Sequence, residues 1–104
     1  MAKIKGLSAD MPDGSTKRVG YVFFCPGCDR HHRVPTEDAN DGQAARWGFN
    51  GNIDAPTFTP SIFVHGKDAG AYECHSFITD GNISYCGDCD HSMAGQTVPL
   101  PEIE

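Results

Sequence analysis

Five cysteines and five histidines are the side chains of this 104-residue sequence with the most chemistry to offer. An odd cysteine count in a chain expected to be cytoplasmic argues against a disulfide framework and for metal or redox use. Cys25-Pro26-Gly27-Cys28 follows the apolar stretch Val22-Phe23-Phe24, and Cys86-Gly87-Asp88-Cys89 follows Ile83-Ser84-Tyr85. Each reads as a strand ending in a C-x-x-C turn, with a glycine that lets the backbone curl until two thiolates converge on one tetrahedral ion, at Zn–S distances near ~2.3 Å. The spacing predicts a structural Zn2+ held by Cys25, Cys28, Cys86 and Cys89. A thioredoxin-like pair would need a helix N-terminus in a βαβ setting, and the pattern does not offer one.

Cys74, His75, His31, His32 and His91 lie close enough in sequence to compete. Taking Asp80-Gly81 as a two-residue turn, Thr79 pairs with Asn82, Ile78 with Ile83, Phe77 with Ser84, Ser76 with Tyr85 and His75 with Cys86. Side chains alternate between faces, so His75 and Cys86 share one face while Cys74 shares the other with Ile78, Ile83 and Tyr85. Cys74 and His75 are therefore not expected on the same ion. In the competing metal set Cys74 or His91 replaces Cys86. His31 and His32 read as polar loop residues after the first knuckle, and His65 as surface. His75 and His91, near Asp88, could form a supporting network or an acid/base pair. Trp47, Phe49, Phe58 and Phe63 read as core, and Asn50, Thr57 and Ser61 as partners for turn and strand backbone. No residue is assigned a catalytic role at this level.

The elements that must position these groups are short. Residues 2–7 and 18–24 have the alternation or β-branched and aromatic content of strands, with MPDGST as the turn between them. Val34 to Arg46 is polar, a loop or one weak helix over Glu37 to Arg46. Asn50-Gly51 predicts a tight type I′ hairpin after Trp47-Gly48-Phe49. Pro56 and Pro60 push Ala55 and Thr59 to extended backbone, and Ser61 to Val64 continues as strand. His65 to Gly70 reads as loop, and Tyr72 to Ile78 with Asn82 to Cys86 as a hairpin. Asp88 could cap a helical turn through Met93 ended by Gly95, and PLPEIE reads as a frayed extended tail. The fold class is mainly β, a small antiparallel β domain with zinc-knuckle hairpins and one or two short helical turns. Without a repeat or linker, residues 1–104 are expected to form a single zinc-stabilised β domain.

Composition narrows the function classes. A chain this short has a thin core that a metal staple would support. The longest apolar run, Tyr21 to Cys25, has five residues, far short of the roughly 18 of a membrane span. The opening MAKIKGLSAD lacks an apolar stretch behind its lysines, which predicts a cytoplasmic protein and no membrane. The net charge is −6, and residues 53–104 carry eight acids against the one base Lys67. Phosphate binding needs a basic stripe, so nucleic acid is not expected as a partner. The acidic second half is the expected face for a protein partner.

The combination CPGC, W-x-F-N-G, PTFTPS, CHSFITDG and D-C-x-H-x-x-A-G-Q-T-V-x-L-P, from about residue 21 to 101, resembles a family of small phage and prophage zinc-ribbon-like proteins of unknown function. Some of its members carry the label ammonia monooxygenase, although nothing in this sequence could build a membrane-bound copper enzyme. Others sit among bacterial ubiquitin-like conjugation genes, which implies a protein-modification or host-interaction setting. The resemblance implies that the family keeps the positions matching Cys25, Cys28, Cys74, His75, Asp88 and His91. It also implies an apolar residue in many relatives where this chain has Cys86, which favours Cys74 or His91 as the completing ligand. The reading that follows is a non-enzymatic accessory or host-interaction module with a structural metal. The rival is a small metal-dependent hydrolase using His75, His91 and Asp88.

Overall fold

The structure is a computed structural model that describes residues 2–36, 46–64 and 73–103. Among these, eight strands form two antiparallel sheets: β1 (Lys5–Asp10), β2 (Thr16–Cys25) and β3 (Arg30–Pro35) in the order β1-β2-β3, and β4 (Gly48–Phe49), β5 (Phe58–Val64), β6 (Cys74–Thr79), β7 (Asn82–Tyr85) and β8 (Thr97–Pro99) in the order β4-β5-β6-β7-β8. The mainly β class is as the sequence predicts. No helix of the described residues is long and apolar enough to cross a membrane.

The β6–β7 hairpin is built as its turn dictates. Asp80 and Gly81 both have positive φ, 50° and 81°, the type I′ requirement, and the register runs Thr79↔Asn82, Ile78↔Ile83, Phe77↔Ser84 and Ser76↔Tyr85. Cys74, Ser76, Ile78, Ile83 and Tyr85 are buried, and His75, Phe77 and Ser84 face away from them. In the first sheet Tyr21, Phe23 and Cys25 alternate inward from β2, met by His32 and Val34 of β3. The two inner faces share one core, and Tyr21 bridges them with its ring 4.6 Å from Phe49 and 6.3 Å from Phe58.

Between β5 and β6 the register passes from Phe58↔Ile78 to Ile62↔Ser76, so Thr59-Pro60-Ser61 stand opposite Phe77 alone. This bulge, which holds the cis Thr59–Pro60 peptide, re-aims the strand locally. Ser61 and Phe63 then point to the outer face beside His75.

Several expectations are corrected. Residues 30–35 form strand β3 rather than loop, because they pair with Gly20 to Cys25 along their full length; His32 is thereby buried. Asn50-Gly51 is not a two-residue hairpin. Only Gly51 has positive φ, and β4 reaches β5 through residues 50–57, where the Asn50 and Asn52 side chains accept backbone N–H groups. The segment from Asp88 to Met93 folds as turns closed at Gly95, not as helix. The tail is anchored: β8 pairs with β7, Leu100 is buried, and the Ile103 amide donates to the Ala2 carbonyl. The weak helix over Glu37 to Arg46, apart from Arg46 itself, and the loop His65 to Gly70 lie outside the described residues.

Candidate functional site

Cys25 ends β2 and Cys74 begins β6, both on inner faces, so the packing of the two sheets brings them together. Their Sγ atoms are 3.8 Å apart, too far for a disulfide and close to the ~3.8 Å edge of a tetrahedron with Zn–S near 2.3 Å. Cys28, at the end of the knuckle, and His91, in the turn after β7, complete a buried group whose ligand atoms all lie within 4.8 Å of one another. Tyr85 braces it: its hydroxyl accepts from the Gly27 amide at 3.1 Å and stands 3.2 Å from Cys25 Sγ, and its ring meets His91 edge-on at 4.6 Å. Gly27 makes room for this ring, because a Cβ would lie 2.4 to 2.7 Å from it and force His91 to shift.

The donor set fits a metal ion. His91 Nε2 is buried without a hydrogen-bond partner among the described residues, a costly state for a polar atom unless something else meets it. A hydrogen bond from Cys74, opposed by burial and aided by His32 and Tyr85, holds the Cys25 thiol down at about 3. Burial and the Cys25 charge push Cys28 up to about 11, and the hydrogen bond to Cys25 with burial pushes Cys74 higher still. Ionisation of one thiol thus opposes that of its neighbours, and a divalent cation would let all three ionise.

The structure therefore separates the residues that C-x-x-C spacing joins. Cys25 and Cys28 are together as expected, but their partners are the alternates Cys74 and His91. Cys86 extends β7 on the outer face. Cys89 is buried against the backbone of His75, whose N–H donates to its Sγ at 3.2 Å while its thiol donates to the same residue's carbonyl at 3.1 Å. The separation follows from strand alternation, which sends Tyr85 inward and Cys86 outward.

On the outer face a second constellation forms. His75 Nε2 is 2.8 Å from Ser61 Oγ, and His75 Nδ1 is 3.3 Å from Asp88 Oδ2. Each member is held by its own element. The bulge presents Ser61, whose carbonyl accepts from the Trp47 indole at 3.2 Å. Cys89 clasps the His75 backbone. The Asp88 loop is tied to the start of β6, where the Asp90 amide donates to the Glu73 carbonyl and Asp90 Oδ2 accepts from the Glu73 amide. Phe63 and Phe77, both about half exposed, flank the His75 ring at 5.3 and 6.1 Å. A serine hydroxyl on one imidazole nitrogen and a carboxylate on the other is the arrangement of a Ser-His-Asp triad.

Sequence reasoning placed His75 and Asp88 together but added His91, which lies with the inner cluster, and gave Ser61 only a backbone role. Extending the outward parity of His75 across to β5 could have found Ser61, had the bulge been visible. No similar curated protein and no similar solved structure was found. A family model matches residues 6–86, a span that includes Ser61 and His75 and ends two residues before Asp88. That model describes the serine protease of a bacterial ubiquitination-like system, BubE, and the chain belongs to this family.

Proposed function

We propose that the protein is a serine protease with Ser61 as nucleophile, His75 as general base and Asp88 as the group that orients His75. The observation that carries this reading is the 2.8 Å contact between Ser61 Oγ and His75 Nε2, with Asp88 on the far side of the same ring. Ser61 Oγ attacks the carbonyl carbon of the scissile bond as His75 Nε2 takes its proton. Asp88 stabilises the resulting imidazolium and holds the Nδ1–H tautomer. His75 then gives the proton to the leaving amine, and a water activated by the same nitrogen releases the acyl group from Ser61. The family description supports a protein substrate within a ubiquitination-like system.

Cys25, Cys28, Cys74 and His91 would hold a Zn2+ ion that ties the end of β2 to the start of β6. Four protein ligands close such an ion to substrate, so its contribution is to folding. A cytoplasmic setting, and a protein partner rather than nucleic acid or membrane at the acidic second half, belong to the same proposal. The other reading, a non-enzymatic phage accessory module with a structural metal, is supported by the buried cluster and leaves the Ser61–His75–Asp88 alignment without a use.

A fluorophosphonate probe tests the reading. The expected result is covalent labelling at Ser61, mapped by mass spectrometry, and its loss in Ser61→Ala and His75→Gln at an unchanged melting temperature. A folded protein that resists the probe, or labelling that survives Ser61→Ala, would overturn it.

A further inference from the structure

The triad makes no use of Cys86, yet the Cys86 thiol stands with it. A ring nitrogen of His75, Cys86 Sγ and an Asp88 oxygen lie within 4.8 Å of one another. We propose that these three side chains form a second metal site, on the outer face, that takes a thiophilic divalent cation of the Zn2+ class and switches the triad off. The catalytic half of this inference rests on the serine protease reading; the ion site itself does not.

Imidazole, thiolate and carboxylate are the three ligand types that zinc accepts, and three of them leave a fourth position for water. The His75 Nδ1 to Asp88 Oδ2 separation of 3.3 Å is long beside the roughly 2.7–2.9 Å of a strong charge-assisted hydrogen bond. It matches the ~3.3 Å edge of a tetrahedron whose N and O ligands sit about 2.0–2.1 Å from the ion. Because Nε2 faces Ser61, Nδ1 is the nitrogen that would ligate, and an ion there would replace its hydrogen bond to Asp88. Access is open, with the His75 and Asp88 side chains 27% and 53% exposed, in contrast to the buried inner cluster.

Occupancy has a definite consequence for the proton. An ion on Nδ1 requires that nitrogen to be unprotonated, so the ring proton moves to Nε2 and the Cys86 thiol proton leaves to solvent. Nε2 then donates towards Ser61 and cannot accept its proton. Inhibition arises from tautomer exchange, without movement of the backbone.

The test uses the full chain carrying its first zinc ion, placed in buffers of fixed free Zn2+. Elemental analysis is expected to find a second ion per chain in the native protein. In Cys86→Ala its affinity should fall about tenfold or more, at least what losing a supporting contact costs a metal site. Co2+ titration should give a thiolate-to-metal absorption band that this variant lacks at the second equivalent. Fluorophosphonate labelling of Ser61 should slow as the second ion binds, recover on dilution, and be insensitive to Zn2+ in Cys86→Ala, each variant being compared with its own rate without added metal. Absence of a second ion, or a second ion and slowing that persist in Cys86→Ala, overturns the proposal. Cys86-dependent binding in a protein that never labels at Ser61 supports the ion site and removes the triad reading.

Discussion

The side chain of His75 joins Ser61 to Asp88 while its backbone is gripped by Cys89. If Asp88 fixes the tautomer, Asp88→Asn should lower the Ser61 acylation rate by roughly 10²- to 10⁴-fold, the upper figure being that of a buried triad aspartate. The half-exposed position of Asp88 places the expectation towards the lower end, since water can replace part of the carboxylate's stabilisation. Stopped-flow acylation with an activated ester, alongside a thermal melt, checks this; a wild-type rate in the variant would exclude Asp88 from the triad. The cysteines are told apart in the same way. Cys74→Ser should lose the inner ion, whereas Cys89→Ser should keep it while loosening the backbone of His75, as elemental analysis of the purified variants would report.

At the scale of the element, β6 does two jobs because a strand alternates. Cys74, Ser76 and Ile78 face the core and His75 and Phe77 face outward, so adjacent residues stand in the buried Cys/His cluster and beside Ser61 and Asp88. This much is legible in the sequence: the Asp80-Gly81 turn sets the register, and the register already places Cys74 and His75 on opposite faces. The bulge at Thr59-Pro60-Ser61 is not legible, because a slip of two residues leaves the apolar pattern of Phe58 and Ile62 unchanged in parity. Which side chains complete the buried cluster is hidden for a related reason. C-x-x-C spacing reports which cysteines are near in sequence, whereas in the Cys86-x-x-Cys89 loop the second thiol bonds the backbone of His75 in strand β6. The first knuckle does behave as a knuckle, and Gly27 is where it can be tested. Gly27→Ala puts a methyl group into the space of the His91 ring, so inner-site Zn2+ affinity should fall about tenfold or more. Competition with a chromophoric chelator measures it; unaltered affinity would mean that His91 is not a ligand.

Across the whole molecule, the inner cluster joins the two sheets, since Cys25 ends β2 and Cys28 lies in the β2–β3 turn while Cys74 begins β6 and His91 lies between β7 and β8. Apparent zinc binding energies in small structural sites are about 10–16 kcal/mol, while a chain of this length has a net stability of about 5–15 kcal/mol. An ion bound only by the native state therefore supplies a share of stability comparable to the total. Purified into buffer without added metal, the protein is expected to hold one zinc ion per chain, at the inner cluster, and to lose its native β signal by circular dichroism when a strong chelator removes it. Loss of Ser61 labelling should follow the loss of structure, because the bulge, the β6 register and the Asp88 loop are all positioned by the sheet packing that the proposed ion would secure. Ser61→Ala must show the opposite pattern, with labelling abolished and both the zinc and the melting temperature retained. The two experiments separate a metal that holds the fold from a metal that performs the reaction. If labelling stopped on chelation while circular dichroism and hydrogen-exchange protection of β6 stayed native, the inner ion would be acting in catalysis, and its purely structural assignment would be wrong.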